Sequence, residues 1–149
     1  MDTYLKQPNG SALLALTSDL VKRNLFSGSA LKWKYQALVM VGQAQKAAAL
    51  GETILARYKS WDSDATLAWD IVDPGLHYPQ RDLKLALKAA KRAMTTNPKD
   101  LTVCETMARV QFCLGNRDQA IRIQKDVIQR AAPELRPRKE RILKEYQGS

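Results

Sequence analysis

Histidine and cysteine, the side chains most used for metal and redox chemistry, are scarce: 149 residues hold one histidine and two cysteines. His77 lies in a proline-bounded stretch, DPGLHYPQ, with no second histidine, metal-ligand cluster, Gly-rich phosphate loop or nucleophile motif beside it. Cys104 and Cys113 are nine residues apart and form no CxxC. On one helix that spacing puts them about 13 Å apart along the axis and on opposite sides, beyond disulfide reach, so both read as small packing residues. Asp62, Asp64, Asp70 and Asp73 lack the spacing of an oxygen cage and read as helix caps and surface charges. No catalytic residue, cofactor or metal site follows from this inventory. No stretch approaches the ~20 apolar residues of a membrane span. The opening MDTYLKQPNGS has no basic-then-apolar order, which points to the cytoplasm. Alternating β-branched runs are missing too, so no sheet is expected.

What is present is helix-period sequence with regular punctuation. In residues 101–133, two periodic segments meet at Gly115, which can take the left-handed conformation that ends a helix. Asn116 or Asp118 is placed to accept the N–H groups opening the next helix. Ala120 suits the closest approach of two antiparallel helices, and Pro133 closes the unit. Cys104, Met107, Ala108 and Gln111 fall at successive inner positions of the first helix. The segment VMVGQAQKAAALGETIL aligns with FCLGNRDQAIRIQKDVI, setting Gly42 on Gly115 and Ala47 on Ala120. Between them, Ala86, Ala90, Ala93 and Pro98 take the equivalent small and closing positions. Ala86 to Ala120 is 120 − 86 = 34 residues, and Ala47 to Ala86 is 86 − 47 = 39. The excess falls at residues 73–80, where Pro74 and Pro79 bar helix continuation.

A 34-residue period of helix pairs punctuated in this way resembles the tetratricopeptide repeat (TPR). The resemblance implies an all-α, TPR-like superhelix of three antiparallel hairpins with flanking helices at both ends, in a single domain over residues 1–149. The repeats span about 29–60, 64–98 and 101–133. One hairpin cannot bury its own apolar faces, so the units must stack. The spacing predicts helices over about 11–24, 30–41, 44–58, 64–72, 81–96, 100–114, 117–131 and 137–146. The first carries Leu13, Leu16 and Leu20 on one face. The last starts at Pro137, which suits a first turn, and serves as a capping helix. Gly51, at a small position of the first hairpin, suggests a close crossing there.

In a TPR stack the first helices of the hairpins line a concave groove that takes a protein or peptide partner. Carried onto this chain, that register selects Lys32, Gln36, Trp69, Glu105, Arg109 and Phe112, with Met40, Thr66 and Asp73 among the inner positions. Lys32 and Arg109 are suited to a peptide carboxylate and Trp69 to an aromatic platform.

A second resemblance covers roughly Leu67 to Ile128. The pairs Ala68–Trp69 and Asp73–Pro74, the run Arg81 to Leu83, and Ala108–Arg109 are similar to the helical-repeat tails that follow a thioredoxin-like domain in some bacterial redoxins. This likeness implies an accessory module of a redox protein, without thiol chemistry of its own. In a secreted protein of that kind the module would lie outside the cytoplasm.

Charge supplies a third reading. The formal net charge is +9. Residues 1–80 carry eight Lys/Arg and seven Asp/Glu, whereas residues 81–149 carry sixteen against eight. Lys84, Lys88, Lys91 and Arg92 gather on one helix face and could contact a polyanion such as RNA. Base-stacking readers need exposed aromatics among their cations, and this face and the basic Arg136–Lys144 helix have almost none, so a solvated outer surface is the favoured reading. The expected function is a non-catalytic protein- or peptide-binding scaffold.

Overall fold

The computed structural model describes residues 9–24 and 27–148. Most of the opening segment, weighed above as a targeting signal, lies outside the described residues. Among the described residues are eight α-helices, a single 3₁₀ turn and no strand. The chain is therefore all-α, as its periodicity predicts. The helices are α1 (Gly10–Lys22), α2 (Ser27–Met40), α3 (Ala44–Arg57), α4 (Trp61–Val72), α5 (Leu83–Thr96), α6 (Leu101–Cys113), α7 (Arg117–Arg130) and α8 (Arg136–Gln147). They group into two compact units: α1–α3 together with residues 77–81, and α4–α8. No helix among the described residues is long and apolar enough to cross a membrane.

In the first unit α2 packs against both α1 and α3. Its core includes Ala30, Leu31, Tyr35, Leu38, Ala47, Ile54 and Leu55, and Gly51 is buried. Asn9 caps α1 by accepting the Ser11 N–H at 3.1 Å. A side chain at Gly10 would meet Met40 Cβ and Val41 Cγ1 at 3.1 Å, a tight contact that a glycine at the start of α1 avoids. The expected Leu13–Leu16–Leu20 face is corrected by one step. Leu16 is exposed, and Thr17 is buried in its place. Thr17 Oγ1 donates to the Leu13 carbonyl at 2.8 Å, which satisfies the hydroxyl and lets a polar side chain enter the core.

The second unit is built around α6, which packs against α4, α5 and α7, while α8 packs against α7. α6 buries most of its circumference, including Val103, Cys104, Met107, Ala108, Val110 and Gln111. Ala86, Ala90 and Ala93 are buried, as their spacing on α5 predicts. Ala93 packs with Ala65 and Val103, with Trp61 and Met94 alongside. On α7 the buried stripe is Ala120, Gln124 and Val127.

The helix ends explain why the chain turns where it does. Gly42 and Gly115 both have positive φ, +76° and +85°. Their hydrogen bonds match pair for pair. Gly42 N–H donates to Val39 O and Gln43 N–H to Leu38 O; Gly115 N–H donates to Phe112 O and Asn116 N–H to Gln111 O. Both are Schellman closures, which use the last carbonyls of one helix to start the turn into the next. Asp82 and Asp100 cap α5 and α6 by accepting the Leu85 and Val103 N–H groups. The expected cap at Asn116 is corrected. Asn116 stands at the N-cap of α7, but its Nδ2 donates to Gln111 Oε1 at 2.8 Å instead of its side chain accepting a backbone N–H.

α4 begins at Trp61, three residues before the expected Asp64. Asp64 is neither a cap nor a surface charge. It is buried and holds the Arg92 guanidinium.

Candidate functional site

In the second unit α4, α6 and α8 enclose a cleft of about 640 Å³. Trp69, Asp73 and Pro74 line it from the end of α4, and Thr102, Glu105, Thr106 and Arg109 from α6. Leu135, Arg138, Lys139, Ile142, Glu145 and Tyr146 line it from α8 and the turn before it, with Gln124 contributed by α7.

Two ion pairs span the cleft from α6 to α8. Arg109 Nη1 donates to Glu145 Oε1 at 2.6 Å, and Lys139 Nζ lies 2.8 Å from Glu105 Oε1. Arg109 also donates from Nε to the Val72 carbonyl at 3.4 Å, tying α6 to the end of α4. Its guanidinium carbon lies 5.3 Å from the centre of the Phe112 ring and 6.0 Å from that of Tyr146. Phe112 and Tyr146 stack with centroids 4.7 Å apart. Tyr146 forms a buried cluster with Ala108 and Ala120, joined by Phe112, Ile121, Ile123 and Ile142. α8 thus rests on an apolar floor and crosses the cleft by ionic contacts.

The electrostatics follow from this burial. Burial works against the charge on Arg109, but the hydrogen bond to Glu145 and the nearness of its carboxylate outweigh that cost and hold the guanidinium above its ordinary value. Burial pushes the Tyr146 hydroxyl up to about 12, with Arg109 pulling the other way. Gln124 is fully buried and donates from Nε2 to the Lys139 carbonyl at 3.1 Å, leaving Oε1 without a hydrogen-bond partner.

Of the residues the sequence register selects, Trp69, Glu105 and Arg109 come together in this cleft. Phe112 is not part of its lining; it supports Arg109 and Tyr146 from the apolar side. Lys32 and Gln36 lie half-buried on α2, in the first unit. Arg109 is not an open guanidinium awaiting a carboxylate, because Glu145 already supplies one. The signal for that was present in the sequence as Glu145 on the last helix, but nothing in the periodicity tied it to Arg109.

Lys84, Lys88 and Lys91 are exposed on α5. Arg92 departs from that set: it forks onto Asp64 and donates to the Tyr58 carbonyl at 3.0 Å. No protein family, curated protein or solved structure matches the chain.

Proposed function

We propose that the protein is a non-catalytic scaffold that holds a protein or peptide partner in the groove of a TPR-like arrangement of helical hairpins. One observation carries this reading. The cleft is lined from α4 and α6, which stand where the first helices of two successive hairpins would, and is closed by α8, which stands where a capping helix would. Two further observations support it. The same Schellman closure recurs at Gly42 and Gly115, and α6 packs on both helices of the α4–α5 pair before it. Repeats of this kind present a surface to a partner instead of a reaction centre. The lining offers Trp69, Leu135 and Ile142 as apolar contacts beside charged groups, a composition suited to a polypeptide.

Selection of random peptides on the full-length protein tests the reading. Peptides selected by the wild type are expected to lose binding to a Trp69→Ala variant and to keep it with Lys84→Glu/Lys91→Glu. Peptides that bind Trp69→Ala as tightly as wild type would remove the cleft from the function. Micromolar binding of generic RNA with a steep salt slope, abolished by the lysine variant, would establish instead the polyanion reading of the exposed α5 face.

A further inference from the structure

We infer that the cleft between α4, α6 and α8 receives a basic side chain, arginine or lysine, from its polypeptide partner; this rests on the groove reading above. In both ion pairs across the cleft the base is the more buried member and the carboxylate the more accessible one. The Arg109 side chain is 10% exposed against 47% for Glu145, and Lys139 is 10% exposed against 23% for Glu105. Each carboxylate engages its base through Oε1. A carboxylate carries about four acceptor sites, so each has capacity for a ligand donor without breaking the pair. Asp73 adds a third carboxylate to the lining, although its Oδ1 already accepts the Gly75 N–H at 2.8 Å.

Gln124 points the same way independently. Its amide donor is used on the Lys139 carbonyl, and the atom left over, Oε1, is an acceptor sealed from solvent in a residue that lines the cleft, so a ligand reaches it when the side chain turns outward. A buried acceptor without a partner is costly, and a ligand N–H removes that cost. The unspent capacity of Glu105, Glu145 and Gln124 is therefore acceptor capacity. A guanidinium brings five donors and no acceptor, and an ammonium three. Trp69, with Leu135 and Ile142, suits the rest of such a side chain: an aromatic face for the cation and apolar surface for the methylene stem.

Two features oppose the ligand. The net charge of +9 repels it at long range, but beyond about 8 Å physiological salt screens that field. Arg138 is an exposed cation within the lining itself. It supplies a readout of opposite sign to that of the carboxylates.

The test is a titration of the isotope-labelled full-length protein with three capped peptides, Ac-Leu-Arg-Leu-NH2 and its citrulline and glutamate counterparts, followed by NMR. The arginine peptide is expected to shift the Trp69 indole and Gln124 amide signals, with the citrulline peptide about tenfold weaker for want of the charge. Glu145→Gln should weaken the arginine peptide about fivefold, and Arg138→Gln should strengthen it about two- to fivefold. Because Arg138 is exposed, its variant stays folded even if Glu145→Gln loosens α8. Equal binding of arginine and citrulline, or cleft shifts with the glutamate peptide instead, would overturn the inference and leave the groove reading standing. If none of the three shifts the cleft signals, both fall.

Discussion

Arg92 closes on Asp64 as a two-pronged fork, Nε to Oδ2 and Nη2 to Oδ1, both at 2.5 Å, across 28 residues of chain. The hydrogen bond to Asp64 holds the Arg92 guanidinium above its ordinary value against the opposing effect of burial. The two partners are not equally hidden: the Asp64 side chain is 3% exposed and that of Arg92 35%. Removing one should therefore not cost the same as removing the other. Arg92→Ala strands a buried carboxylate and is expected to cost about 2–3 kcal/mol, less than the ~3–5 kcal/mol for breaking a fully buried pair because Arg92 is partly solvated. Asp64→Asn leaves a cation that water can reach and should cost nearer 1 kcal/mol, roughly the worth of a lost hydrogen bond. Urea unfolding of the two variants checks the order, and equal losses would contradict it.

This pair also marks where reading the sequence stops. Helix periodicity places Asp64 and Arg92 on charged faces, and each taken alone is a plausible surface residue. Their union depends on how α4 lies against α5, which no local signal encodes. The hairpin turns were legible for the opposite reason. A Schellman closure is a local event, and Gly42 and Gly115 announce it by residue type alone. The helices were legible because Ala86, Ala90 and Ala93, or Ala120 and Val127, repeat at helical spacing. Leu16 and Thr17 show the weakness of that rule, since a satisfied hydroxyl displaced a leucine from the core. At the cleft, Trp69, Glu105 and Arg109 followed from the register, but which member of each ion pair faces outward did not.

The two closures yield a prediction free of packing effects. A Cβ built on Gly42 or Gly115 meets nothing within 4 Å, so the cost of substitution is backbone strain alone. Gly115→Ala should destabilise by about 1–2 kcal/mol, the left-handed penalty for an L-residue, and Gly42→Ala by a similar amount. Gly115→Asn should lose distinctly less, because asparagine tolerates that conformation. Thermal melts of the three variants decide it. A negligible effect of both alanines would mean the closures are dispensable.

Gln124 separates stability from binding. Its unpartnered Oε1 is a cost to the folded state, while its Nε2 bond to Lys139 O contributes about 1 kcal/mol. Gln124→Met exchanges the amide for an apolar chain of similar length and relieves the stranded acceptor. Its stability is expected within about 1 kcal/mol of wild type, while its affinity for an arginine peptide falls. A loss of several kcal/mol on unfolding would instead assign Gln124 a structural role that outweighs its contact with the cleft.

Alkaline pH should act on the second unit through Tyr146. Burial holds its hydroxyl at about 12, above the ordinary value of 10.0. The neutral phenol is thus favoured by folding. The full contribution is present below pH 10, where both folded and unfolded chains keep the proton. Above pH 10 the unfolded chain releases its proton first, and stability falls until the folded hydroxyl ionises near pH 12. The loss over that window is on the order of 2–3 kcal/mol, since each tenfold difference in proton affinity is worth about 1.4 kcal/mol. Arg109 moderates it, because a tyrosinate formed beside the guanidinium is partly stabilised. Tyr146→Phe removes the ionisable group while keeping the ring that stacks on Phe112. Denaturant unfolding at about pH 9 and about pH 11.5, on either side of the onset, should therefore show a smaller drop in the phenylalanine variant than in wild type. Parallel behaviour of the two proteins would place the alkaline sensitivity elsewhere.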